Sequence, residues 1–239
     1  MPSEAIRSSK LWVRMRALEE HVPPGIRGAL LRTLAPARNP YEPVNDRLRM
    51  IFIHVPKTAG SSMTAALGGG RQRNIPLVRY AAYDRKRCAD YFKFCFVRNP
   101  WDRLLSAYSY LRSRIGLGGS DASWVEANMA DLRTFEQFVT AIGRDDAQAR
   151  QLMSYMHFMP QHRWLTLEPH GEPYIDFVGR FERLDQDLAA VADRLGLSIQ
   201  LEHRRKSAHR PYREEYDERM RGIVARLYSR DIELFGYDF

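Results

Sequence analysis

The sequence predicts an α/β fold, a single domain whose central parallel β-sheet is flanked by helices. Three apolar runs rich in β-branched and aromatic residues, 49–55, 91–97 and 174–179, have the length and continuity of buried strands. The segments between them have helical character, and strands separated by helices close into a parallel sheet covered on both faces. A chain of 239 residues suits one such domain with an extension.

Residues 1–45 stand apart from the domain expected over 46–239. Two short helices are expected at 5–20 and 25–34, separated by Pro23-Pro24-Gly25. Both are basic on one side and carry apolar residues such as Leu11, Trp12, Leu30 and Leu31. That pattern is compatible with peripheral contact to a membrane surface, with a partner, or with packing on the main domain. The first strand ends at Pro56, and a helix is expected over 61–67, stopped by Gly68-Gly69-Gly70. After the second strand, Asn99-Pro100 caps a helix over 101–114. Residues 116–123 read as a flexible loop. Further helices are expected over 132–142, over 184–195 with closure at Gly196, and over 213–235.

The formal net charge is +8 and the pI about 9.6, which favours an anionic partner such as a nucleotide, an acidic glycan, nucleic acid or a membrane surface. Nothing matches the aromatic strand motifs of RNA modules or a helix-turn-helix, so nucleic acid is not expected. The two cysteines, Cys88 and Cys95, form neither a metal-binding spacing nor a disulfide framework, which fits a reducing compartment. No apolar run has the length of a membrane span, and Lys10, Arg14 and Arg16 interrupt any signal-peptide core. A soluble, cytoplasmic protein is expected.

In parallel sheets ligands bind beyond the C-terminal strand ends. Beyond the first lies Pro56-Lys57-Thr58-Ala59-Gly60-Ser61-Ser62, a small-residue turn that opens a helix. Free N–H groups and the positive end of the helix dipole favour an anion there. Gly60 allows close backbone approach, Thr58, Ser61 and Ser62 add hydroxyls, and Lys57 adds a mobile charge. The order differs from a Walker A loop, because the lysine precedes the glycine. An ordinary capped turn has similar spacing. At the second strand exit stands Arg98, with Ser106 eight residues later, about two helical turns on. An arginine fork and a hydroxyl suit a second phosphate. Alternatively Arg98 pairs with Asp102, and Ser106 eases helix packing.

The run from Phe52 to Ser62 resembles the 5′-phosphosulfate-binding loop of the carbohydrate sulfotransferases, and the run from Phe94 to Tyr108 resembles their 3′-phosphate-binding segment. Pro160-Gln161 with Trp164-Leu165, the block from Phe177 to Glu182, and the block from Asp231 to Tyr237 resemble later parts of the same family, so that the likeness covers about residues 48–239. It implies a sulfotransferase domain related to the P-loop kinases, using 3′-phosphoadenosine 5′-phosphosulfate (PAPS) as cosubstrate and no metal. It implies that Lys57, Thr58, Ala59, Gly60, Ser61 and Ser62 hold the 5′-phosphosulfate and that Arg98 and Ser106 hold the 3′-phosphate. Lys206 and Ser207, between the last strand and last helix, lie near where many sulfotransferases close a loop over the phosphates; a solvated basic turn is the alternative. The implied acceptor is a hydroxyl on a carbohydrate or glycoconjugate.

In-line transfer of this kind rests on positioning and charge stabilisation, with Lys57 neutralising the leaving phosphate. A base must also take the hydroxyl proton. Several relatives place a histidine between the two cofactor motifs, but residues 77–84 hold none. His54 is the histidine beside the cradle and the first candidate base; a structural role bonded to backbone is the alternative. Asp84, His157, His162 and Glu136 are further candidates. Acceptor recognition is expected from 116–123, acting as a lid, and from 148–164, with Arg150, Gln151, Tyr155, His157, Gln161, His162, Arg163 and Trp164. Two other classes stay open: a small-molecule kinase of similar fold, and a noncatalytic binder of nucleic acid or acidic polymers.

Overall fold

A computed structural model describes residues 39–68, 74–168, 171–198 and 210–239. The helices expected at 5–20 and 25–34 lie outside those residues. Near the start of the described chain, Tyr41 is buried edge-on against Tyr80 and Tyr91 and so belongs to the core. Helix α1 (Pro43–Leu48) follows and crosses the expected division at residue 45. Proline at its first position and a capping box between Glu42 and Asn45 start it.

Strand β1 (Met50–Ile53) runs through a turn into α2 (Gly60–Ala66). Helices α3 (Leu77–Tyr83) and α4 (Arg85–Asp90) lead to β2 (Phe92–Val97). Helix α5 (Pro100–Arg112) starts where the Asn99 side chain accepts from the Trp101 N–H at 3.1 Å. Four helices follow: α6 (Ser120–Asn128), α7 (Phe135–Ile142), α8 (Ala147–Met153) and α9 (His162–Leu165). Strand β3 (Phe177–Arg180) passes through a 3-10 turn into α10 (Leu184–Leu195). A second 3-10 turn (Tyr212–Glu215), α11 (Glu218–Leu227) and α12 (Ser229–Phe235) complete the order. Among the described residues, no helix is long and apolar enough to cross a membrane.

The three strands form the expected parallel sheet, in the order β1-β2-β3. Phe94 stands opposite Phe52 on one side and Phe177 on the other. Strand alternation then sorts the side chains. Ile51, Ile53, Cys95 and Val97 pack on Leu77, Tyr80, Trp164 and Phe235. Met50, Phe94 and Phe96 pack on Met63, Leu184, Leu188 and Val191. Helices therefore cover both faces. A third apolar cluster, with Leu104, Phe138, Phe158 and Val224, joins α5, α7 and α11 beside the sheet.

Several elements differ from expectation. Half of the loop expected at 116–123 is helix, because Ala122 and Val125 lie about one turn apart and both are buried. The helix expected over 213–235 is three pieces: Asp217 caps α11 by accepting from the Met220 N–H at 2.7 Å, and Tyr228 turns out of it to donate its hydroxyl to the Phe158 carbonyl. Helix α7 begins at Phe135 instead of 132, where Thr134 and Gln137 close a capping box. Strand β3 begins at Phe177, since the Asp176 carboxylate takes the Lys93 N–H at 2.7 Å, in place of a ladder bond.

The sheet is tight where β3 meets β2. A Cβ on Gly179 would lie 2.4 Å from Cε1 of the fully buried Phe96. Gly179→Ala is therefore expected to cost about 1–3 kcal/mol through overpacking. Urea unfolding checks this: the midpoint falls while the slope stays constant.

Candidate active site at the strand ends

The turn after β1 carries backbone strain. Lys57 and Ala59, neither a glycine, sit in the left-handed region at φ 72° and 66°. Such residues cost about 1–3 kcal/mol each and persist only when their surroundings hold them. Here the Thr58 hydroxyl donates to the Val55 carbonyl at 2.9 Å, and Nη1 of Arg98 donates to the Lys57 carbonyl at 3.2 Å. The Thr58 hydroxyl, expected to face a phosphate, is thus engaged in closing the turn. The His54 ring lies against Gly60, where a Cβ would come 1.8 Å from Cδ2, so no other residue fits at position 60 without moving that ring. Ser61 is exposed and Ser62 half-buried at the opening of α2.

Arg98 brings the second strand end to the same place. It is 4% exposed. Its Nε donates to Asp102 at 2.7 Å, so the anticipated ion pair forms, and Nη1 still reaches the cradle. The guanidinium also lies 4.2 Å from the Phe181 ring centroid. Gln161 fixes the Arg98 backbone from both sides: its Oε1 accepts the Arg98 N–H and its Nε2 donates to the Arg98 carbonyl, both at 2.9 Å. Gln161 is anchored in turn by its own N–H on the buried Asp231 at 2.6 Å. Ser106 is buried on α5 and makes no hydrogen bond to Arg98.

One further arginine links the parts. Arg103, 1% exposed, donates to the carbonyls of Pro56, His157 and Met159 at 3.4, 3.2 and 2.5 Å. It ties the cradle to residues 157–159. On that side a network surrounds Asp121, the second residue of α6. The hydroxyls of Tyr110 and Tyr155 donate to it at 2.8 and 2.5 Å, and Nε2 of His157 lies 3.4 Å away. The Lys57 ammonium sits 4.2 Å from the Tyr110 ring centroid, over the same group.

The charges follow from this crowding. Burial, and then the neighbouring Arg98, pull the Lys57 ammonium down to about 8, while Asp121 acts in the opposite direction. Burial takes His54 to about 4, with His157 and Lys57 adding to the effect. Burial alone would raise Asp121, yet His157 and the two tyrosine hydroxyls hold it well below the usual carboxylate range. Burial lowers His157 as well, and Asp121 opposes it.

The structure thus brings together Lys57, Thr58, Ala59, Gly60 and Arg98, with His54 behind the turn. It separates other candidates. Asp84 caps α4 through the Arg87 N–H, His162 is paired with Asp231 at 2.6 Å, and Glu136 is exposed on α7. Lys206 and Ser207 lie outside the described residues. In 148–164, Arg150 is exposed and bonded to Asp145, whereas Gln161 and Trp164 are buried. The bracing roles of Gln161 and Arg103, and the acid at position 121, were not apparent from the sequence. Asp121 follows a glycine pair with no periodic signal, and each of these contacts joins distant segments.

The model of the sulfotransferase family matches residues 43–238. The chain is 30% identical over 205 residues to carbohydrate sulfotransferase 14 of Mus musculus, covering 72% of this chain and 49% of that protein. It is 29% identical over 205 residues to carbohydrate sulfotransferase 14 of Homo sapiens, with the same coverage of 72% and 49%. An uncharacterized protein of Archaeoglobus fulgidus is 25% identical over 120 residues, 49% of this chain and 78% of that one. The chain spans about half the length of the carbohydrate sulfotransferases it matches. No solved structure matches it significantly. With the match running from α1 to the C-terminal end, through both strand ends that meet at Arg98 and Lys57, the chain belongs to the sulfotransferase family.

Proposed function

We propose that the protein transfers a sulfuryl group from PAPS to a hydroxyl of a carbohydrate or glycoconjugate. The observation that carries this is the contact of the two strand ends, where Arg98 bonds the carbonyl of Lys57 and two cationic side chains gather beside one turn. Burial and the nearby Arg98 disfavour the charged form of Lys57, and a polyanion placed beside both cations favours it. A bisphosphorylated nucleotide is such a ligand. The carbohydrate class of acceptor is supported by the relatives, which are carbohydrate sulfotransferases.

In this proposal the backbone N–H groups at Gly60, Ser61 and Ser62 and the Lys57 ammonium hold the 5′-phosphosulfate. Arg98 and Ser106 hold the 3′-phosphate, which shares the guanidinium with Asp102. PAPS supplies the sulfuryl group and a phosphate leaving group. Lys57 neutralises the charge that grows on that leaving group, an interaction stronger in the transition state than before it. Gln161 and Arg103 keep Arg98 and Pro56 from shifting while the charge moves.

Calorimetric titration with adenosine 3′,5′-bisphosphate checks the donor site. The wild-type protein binds, and Arg98→Ala weakens binding about 10–100-fold, as expected for losing about 1.5–3 kcal/mol of charged hydrogen bonding. A folded protein that does not bind the nucleotide overturns the proposal. A second expectation concerns pH. Free Lys57 loses its proton near pH 8, and the bound anion favours the charged form. Affinity is therefore full below pH 8 and falls as the pH rises above it. Near pH 8–9 binding takes up a proton, seen by comparing buffers of different ionisation enthalpy, and Lys57→Ala abolishes that uptake.

A further inference from the structure

We propose that His157, held by Asp121, is the general base that takes the proton from the acceptor hydroxyl. This rests on the sulfotransfer activity proposed above and adds the residue that completes it. Four features of the Asp121 network support the assignment.

The first is the state of the imidazole. Nε2 of His157 lies 3.4 Å from Oδ2 of Asp121. An ionised carboxylate only accepts, so Nε2 carries the proton and Nδ1 keeps its lone pair. That Nδ1 atom is buried and has no hydrogen-bond partner. Buried polar atoms are nearly always bonded, and an exception points to a ligand or a chemical role. The second is the fixed carboxylate. Asp121 is clamped by the hydroxyls of Tyr110 and Tyr155, so its charge stays beside the ring to stabilise the imidazolium when it forms.

The third is the place of the ring relative to the leaving-group cation. The Lys57 ammonium is 4.2 Å and the His157 ring 5.1 Å from the centroid of Tyr110. Both groups therefore border one tyrosine ring beside the cradle, which keeps base and cation within reach of one transferring group. The fourth is the contrast with His54. It also has a buried, unbonded Nδ1, yet it has no carboxylate to orient it and packs against Gly60. Burial lowers both imidazoles, and only at His157 does a carboxylate oppose the shift.

In the step, the acceptor oxygen bonds to sulfur as its proton passes to Nδ1 of His157. The bond from sulfur to the phosphate oxygen breaks, and both electrons leave with the phosphate, facing Lys57. Asp121 touches neither reacting atom and is a positioning residue. The charged or titratable groups facing His157 are Asp121 from α6, Tyr110 and Arg103 from α5, Tyr155 beyond the end of α8, and Lys57 and His54 from the turn after β1.

The test uses the full chain with sulfur-labelled PAPS, a panel of neutral and acidic polysaccharides, and water as the acceptor that needs no glycan. His157→Gln is expected to lower turnover about 100–10,000-fold, the usual share of general-base catalysis. Its affinity for adenosine 3′,5′-bisphosphate stays within threefold of wild type. Asp121→Asn is expected to lower turnover less and to move the acid limb of the pH profile to lower pH, because the carboxylate no longer supports the imidazolium. A merely structural role would not move that limb. His157→Gln turning over within threefold of wild type, or losing nucleotide affinity in step with turnover, overturns the assignment. If His157→Gln does not fold, the Asp121→Asn limb decides, and an unmoved limb overturns it. Sulfate release to water that depends on His157, with no glycan sulfated, contradicts only the carbohydrate acceptor. Absence of nucleotide binding contradicts the sulfotransferase proposal itself.

Discussion

The bond from Arg98 to the Lys57 carbonyl fastens the turn after β1 to the end of β2, the strand beside it in the sheet. The turn it closes passes through two left-handed residues, Lys57 and Ala59, where glycine would be the unstrained choice. Strain of that kind survives only if the rest of the fold enforces it. The enforcement can be followed outward. Gln161 clamps the Arg98 backbone, Asp231 anchors Gln161, and Arg103 fastens Pro56 to residues 157–159. The C-terminal helix α12 thereby supports a turn near the start of the domain, although it touches no substrate in the proposed mechanism.

The same crowding sets the electrostatics. Burial, and then the neighbouring Arg98, pull the Lys57 ammonium down to about 8. Asp121 opposes that effect on Lys57, and it also lies beside His157. One carboxylate thus serves both the leaving-group cation and the proposed base. In the proposed function a phosphosulfate would place further negative charge beside the Lys57 and Arg98 cations.

Much of the fold was legible because its signals are local. Each strand is a run of apolar β-formers, and the caps at Asn99 and Gly196 stand one residue from the helices they bound. The cradle was legible for the same reason, as Lys57, Thr58, Ala59 and Gly60 are consecutive. The base was not. Asp121 lies on α6, Tyr155 and His157 together beyond α8, and Tyr110 on α5, so no spacing in the sequence records their meeting. Residues 116–123 look like a loop because of Gly116, Gly118 and Gly119. Burial of Ala122 and Val125, a tertiary effect, makes the second half a helix and fixes Asp121 in place. Local propensity gave way there to packing.

The most direct test of the account is a crystal structure of the protein with adenosine 3′,5′-bisphosphate. The account predicts the 5′-phosphate within hydrogen-bond distance of the Lys57 ammonium and the N–H groups opening α2, and the 3′-phosphate on the Arg98 guanidinium and the Ser106 hydroxyl. The His157 ring should face the open side of the 5′-phosphate. A nucleotide bound elsewhere, or one whose phosphates leave the Arg98–Asp102 pair and the Lys57 turn untouched, would contradict it.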